Sequence, residues 1–178
     1  MPGRAAARHA RLWLAAVLCV LAPCVIAADA PVRRVGPAVA TGTCVGEASS
    51  AICAVDTLLA CIARADPMLC RRVGAEPPEP PPPPRLLIYV IERSGVIRRE
   101  HVGEDMRDLA WFKAGHTLVE LRMRACAAGQ ATCPEDGWED VQVYLRRQAN
   151  LWQILHWHMP GDPDTAPQIP ESFVPRAP

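Results

Sequence analysis

The chain has 178 residues, 50% of them hydrophobic and 21% charged, with 19 basic against 19 acidic side chains. That length holds about one domain, and a balanced charge argues against a nucleic-acid partner, which needs a basic face. Eight cysteines and 19 prolines supply the two constraints that organise the rest, crosslinks and chain stiffness.

Arg4, Arg8 and Arg11 precede an apolar run from Leu12 to Ala28. A charged start, an apolar middle and small residues at the end are the features of a secretory leader, here residues 1–28, cleaved after Ala28 or Ala27. The run is short of the roughly 20 apolar residues of a membrane span, so no integral span is expected after cleavage. Leu21 and Ala22 suit a lipidation signal at Cys24, but Pro23 does not. Taking the three leader arginines from 19 basic residues leaves 16 against 19 acids, a near-neutral mature chain. Cys44, Cys53, Cys61, Cys70, Cys126 and Cys133 remain, an even number that reads as three disulfides in a periplasmic or secreted protein.

Residues 29–42 carry prolines and glycines without a period and read as a flexible approach segment. The domain is expected over residues 43–158. Ile52, Val55, Leu58, Leu59 and Ile62 recur at helical spacing behind Ser49 and Ser50, which predicts a helix of about four turns. Asp66-Pro67 then opens a second short helix through Arg72, with Asp66 as its cap. An antiparallel helix pair about that junction brings Cys61 to Cys70, which leaves Cys44 for Cys53. Asp56 lies off the centre of the apolar stripe and is expected to be solvated.

Glu76 to Pro84, with prolines from 77 to 84, excludes helix and central strand and predicts a stiff polyproline spacer. Leu86–Glu92 reads as a strand covered on both faces, Ser94-Gly95 as a hairpin turn, and Val96–Val102 as the returning strand. Glu104–Ala110 has room for one helical turn, and Trp111–Gly115 for a turn into the next strand.

Thr117, Val119, Leu121, Met123 and Ala125 alternate with Leu118, Glu120, Arg122 and Arg124, a strand with one buried face. A Cys126–Cys133 bond closes the loop that follows. In the stretch from Trp138 to His158, Val141, Val143 and Leu145 share a face, and Trp152, Ile154 and His156 share one after a polar turn at Gln148-Ala149-Asn150. Residues 159–178 hold six prolines and read as a disordered tail.

Two helices, a hairpin and long antiparallel strands ending in WEDVQVYLRRQANLWQILHW resemble the NTF2-like, or cystatin-like, α+β roll. The resemblance covers roughly Ser49 to Trp157. It implies N-terminal helices on a curved antiparallel sheet of about five strands, here disulfide-stapled, closing a conical cavity. The expected third helix is short, and the polyproline and cysteines lie outside that pattern.

No nucleophile–base pair and no metal-ligand set recurs at a spacing that defines a site. His156 and His158 share a strand face, but two ligands do not make a metal site, and no cofactor is expected. The candidate pocket residues are Tyr89, His116, Glu120, Trp152 and His156. Paired arginines at 98–99, 122/124 and 146–147 have acidic neighbours in Glu120, Glu139 and Asp140, and read as members of cross-strand ion pairs. The expected function is therefore that of an exported envelope accessory protein, a non-catalytic binding or interaction module. Its partner is expected to be another protein or a small apolar ligand, with homodimerisation through the sheet as a further expectation. Two alternatives stay open: a small cavity enzyme of the isomerase or hydratase type, and a lipid-anchored structural envelope component.

Overall fold

The computed structural model describes residues 30–127, 130, 133 and 135–158, apart from the Asp105 side chain. The leader expected over residues 1–28, Cys24 and the tail expected at 159–178 lie outside the described residues. The architecture is α+β. Strands β1 (Arg33–Val35) and β2 (Ala40–Thr41) precede helices α1 (Ala51–Arg64) and α2 (Pro67–Arg72). Four long strands follow, β3 (Leu86–Val96), β4 (Thr117–Cys126), β5 (Glu139–Gln148) and β6 (Leu151–His158). The sheet is antiparallel, in the order β2-β1-β3-β4-β5-β6.

The helices begin and end as their local chemistry requires. The Ser50 hydroxyl accepts from the Cys53 N–H at 3.0 Å and starts α1. Ala65 closes it in the left-handed conformation, φ 53°, with the Asp66 N–H bonded to the Cys61 carbonyl at 3.0 Å. The Asp66 carboxylate caps α2 through the Met68 N–H at 2.9 Å, and Pro67 takes the first helical position, where its missing N–H costs nothing. The Cys61–Cys70 disulfide joins the two helices. Cys44–Cys53 ties the preceding segment to the first turns of α1, and Cys126–Cys133 closes the β4–β5 loop.

Two cores form, one on each face of the sheet. Val55, Leu58, Leu59 and Ile62 of α1 pack on Leu87, Tyr89, Ile91, Val119, Leu121, Val143 and Leu145, the inner face. Burying each such large side chain contributes about 1.5–3 kcal/mol. On the outer face the excursion between β3 and β4 folds back, so that Ile97, Met106 and Phe112 cover Leu118 and Tyr144. The 3-10 turn Glu104–Met106 falls where one helical turn is expected near 104–110, whereas the returning strand expected over Val96–Val102 does not form: Val96 ends β3 and Arg99–His101 is a second 3-10 turn.

Further expectations are corrected. The flexible approach segment supplies β1 and β2, and Val35 is fully buried. Three residues are too few to show a period, but pairing with β3 satisfies their backbone. Among the described residues the sheet accordingly has six strands where about five are expected. Ser94-Gly95 is not a turn: it continues β3, opposite Val119 and Leu118. A bulge between Ile91 and Arg93 shifts the alternation there, leaving Ser94 and Val96 inward and Arg93 outward. A second irregularity separates the Tyr144↔His156 and Leu145↔Ile154 pairs, with Leu155 as the extra residue. It sends His156 to the outer face with Tyr144, while Trp152 and Trp157 pack with Ile154 against the inner core.

The outer edge of β6 is tied down. Trp152 N–H donates to the Ala48 carbonyl at 2.9 Å and Ile154 N–H to the Val73 carbonyl at 2.8 Å. These bonds hold the segments flanking both helices against β6 and cover part of an edge that would otherwise be open for pairing. The polyproline run lies against the α1–α2 turn, where Pro77, Pro78 and Pro82 share a groove of about 290 Å³ with Cys61, Ala65 and Pro67.

Candidate binding cleft at the open end of the helix and sheet

The anticipated pocket residues divide between the two faces. Tyr89 is in the inner core, fully buried, and its hydroxyl donates to Asp56 Oδ1 at 2.6 Å. Asp56 is itself 0% exposed, which corrects the expectation of solvation. Its Oδ2 accepts from Arg33 Nη1 at 2.8 Å and from the Cys44 N–H at 3.0 Å. One carboxylate therefore joins β1, α1, β3 and the segment before α1. Burial pushes the Asp56 carboxyl above the usual carboxylate range, against the pull of Tyr89, the Cys44 N–H and Arg33. Burial first, and then the Asp56 charge, push the Tyr89 phenol up. Such a group has no path to solvent or substrate, and its chemistry is cohesive.

Glu120, His116 and His156 gather on the outer side. Glu120, 8% exposed, is ion-paired with Arg93 and accepts from Gln142 Nε2 at 3.2 Å. Gln142 Oε1 in turn accepts from the Tyr144 hydroxyl at 2.7 Å. Burial pushes the Tyr144 phenol up as well. Trp111 stacks on the His156 ring at 4.4 Å and tilts against Tyr144 at 4.5 Å, while His116 Nδ1 meets the Trp111 carbonyl at 2.9 Å. Arg122 pairs with Glu92, so cross-strand ion pairs of the expected kind do form here. The polar groups of this face are thus engaged with one another. Among the described residues no cluster of three or more His, Cys, Asp and Glu side chains is placed to hold a metal ion.

Trp152 has a different setting. It is half-buried and lines a cleft of about 340 Å³ at the end of the space between α1 and the inner face of the sheet. Ser94, Val96 and Thr117 form the floor, Ala51 of α1 and Trp152 of β6 the walls, and Arg98 and His101 the rim. The floor exists because the β3 bulge turns Ser94 and Val96 inward just where α1 begins and can no longer cover them. Val96 is 55% exposed and Leu151, beside Trp152, 54%. Volume, apolar lining and a few polar groups at one side are the attributes of a small-molecule site.

The rim is held by its own turn. Arg98 N–H donates to His101 Nδ1 at 3.1 Å, and His101 N–H donates to the Arg98 carbonyl at 3.1 Å. With Nδ1 as acceptor, the neutral imidazole carries its proton on Nε2. The Arg98 side chain is exposed, with Glu100 3.6 Å away in an equally exposed pair.

Of the five anticipated residues the cleft contains Trp152 alone. Ser94, Arg98, His101 and Thr117 come from an irregular strand end and a loop, and no spacing in the chain announces their convergence. Arg98 was visible only as half of an arginine pair. Among the described residues no helix is long and apolar enough to cross a membrane, and three disulfides suit an oxidising compartment. No protein-family model, no curated protein and no solved structure matches this chain.

Proposed function

We propose that this protein is an exported accessory domain acting by non-catalytic binding, with the cleft beneath the start of α1 as its ligand site. The observation that carries the reading is apolar surface, the exposed Val96 and the half-buried Trp152, in a concave site bordered by a charged rim. The acids and bases a roll enzyme would use are engaged elsewhere, Asp56 in the core and Glu120 with Arg93 and Gln142. Export is supported by the leader-like residues 1–28 and by the three disulfides. Placement with the NTF2-like roll is supported by the order of elements, a helix pair followed by an antiparallel meander with α1 across one face.

The test is titration of the oxidised protein with 1-N-phenylnaphthylamine, a neutral apolar fluorophore. The expected result is a saturable rise in fluorescence at one site per chain, lost in Val96→Asp and weakened in Trp152→Ala, with melting temperatures close to the parent's. No saturable rise, or one that Val96→Asp leaves intact, overturns the proposal.

A further inference from the structure

Resting on that reading, we infer that the cleft selects a small amphipathic anion, a carboxylate or similar head group on a short apolar tail. Charge distribution carries the inference. Among the described residues the ionisable side chains lining the cleft are Arg98 and His101, and the lining includes no carboxylate. Ala51, the first residue of α1, places the positive end of a 14-residue helix on the same wall. Val96 and Trp152 offer the tail an apolar floor and wall.

Arg98 is suited to this task by its mounting. The reciprocal bonds with His101 fix its backbone at the rim, while its side chain remains exposed. His101 is 4% exposed and acts as a positioning residue for that turn. Among the described residues the carboxylate paired with Arg98 is Glu100, at 3.6 Å in a pair whose side chains are 66% and 63% exposed. An exposed pair of this kind is weak. A ligand head group that offers a planar, bidentate acceptor at the edge of an apolar cleft competes with it successfully. The volume of about 340 Å³ suits a chain of medium length and excludes a whole two-chain lipid.

Octanoate and octan-1-ol share a tail and differ in head-group charge, so displacement of 1-N-phenylnaphthylamine by each separates this inference from the reading beneath it. At pH 7.5 and low salt octanoate should bind about tenfold more tightly than octan-1-ol. Arg98→Gln should abolish that preference by weakening octanoate to the affinity of octan-1-ol. Glu100→Gln should strengthen octanoate a few-fold, because the competing carboxylate is gone, and the preference should shrink as salt rises. Both variants lie on the surface, and unchanged melting temperatures would establish that they fold. Equal affinity for the two ligands, or a preference that survives Arg98→Gln, overturns the anion inference and leaves the binding module standing. Failure of both ligands to displace the fluorophore from a site that binds it also overturns the inference. Absence of fluorophore binding overturns both readings.

Discussion

Replacing Asp56 by alanine tests the centre of the inner core. Asp56 Oδ1 and Oδ2 accept from Tyr89 at 2.6 Å, Arg33 at 2.8 Å and the Cys44 N–H at 3.0 Å. Removing the carboxylate strands a phenol hydroxyl, a backbone N–H and a guanidinium, and losing one partner of a buried pair costs about 3–5 kcal/mol. The Arg33 side chain keeps 18% exposure, so it can regain some water, and the expected loss is about 3 kcal/mol. In a domain of this size that is a fall of about 10–15 °C in melting temperature. Asp56→Asn keeps the shape and one acceptor and isolates the effect of ionisation. Burial raises the folded carboxyl above its ordinary value of 3.8, so the folded state binds that proton more tightly than the unfolded state does. The resulting stabilisation is complete below the unfolded pKa and is lost as pH rises through the folded one. The stability of the parent relative to Asp56→Asn should therefore be greatest near pH 3 and decline toward pH 7. Urea unfolding followed by tryptophan fluorescence at several pH values measures both effects. A loss below about 1 kcal/mol for Asp56→Ala, or a parent that gains on Asp56→Asn as pH rises, would refute the reasoning.

Other outcomes follow from single contacts. The chain has two tyrosines, both fully buried and both pushed up by burial. Absorbance at 295 nm should show no phenolate near pH 10 in the folded protein and a step only on alkaline unfolding, which removes the stability held below that range. Val35→Ala should cost about 1–3 kcal/mol in urea unfolding, because Val35 is 0% exposed in the inner core; a free approach segment would give no loss. Gly95 is a strand residue without positive φ, so Gly95→Ala should gain up to about 1 kcal/mol and lose no more than about 0.5 kcal/mol. A drop well beyond that would restore a turn at this position. Trp111→Ala should cost about 2–3 kcal/mol by uncovering Tyr144 and His156, with hydrogen exchange rising in the outer core before the inner one.

The features legible in the chain are those written within about ten residues. The stripe of α1, the caps at Ser50 and Asp66, and Pro67 at the start of α2 act through atoms a turn or less apart. The pairings Cys44–Cys53, Cys61–Cys70 and Cys126–Cys133 span separations of 9, 9 and 7 residues, short enough for local structure to select them. The alternation of β4 and β5 is equally local: Thr117, Val119, Leu121 and Met123 are buried as read, but Ala125 is exposed, and Leu118 and Glu120 on the opposite face are buried as well. Asp56 shows where this stops. A carboxylate beside an apolar stripe belongs in water unless donors arrive, and its donors come from positions 12 residues or more distant in the chain, Arg33, Cys44 and Tyr89.

The chain alone therefore determined the helices, their ends, the crosslinks and the existence of an antiparallel sheet, because propensity, capping and short loop closure act between neighbours. Tertiary structure decided which faces met. The extra residues at the two bulges reverse the side-chain alternation, sending His156 outward and Val96 inward, and a bulge is defined by the register of two strands, which neither strand carries by itself. The same register places Val96 and Thr117 opposite one another, while β6 brings Trp152, the excursion brings Arg98, and α1 ends its cover at Ala51. The cleft is thus a product of unequal lengths among paired elements, and no single stretch of sequence encodes it.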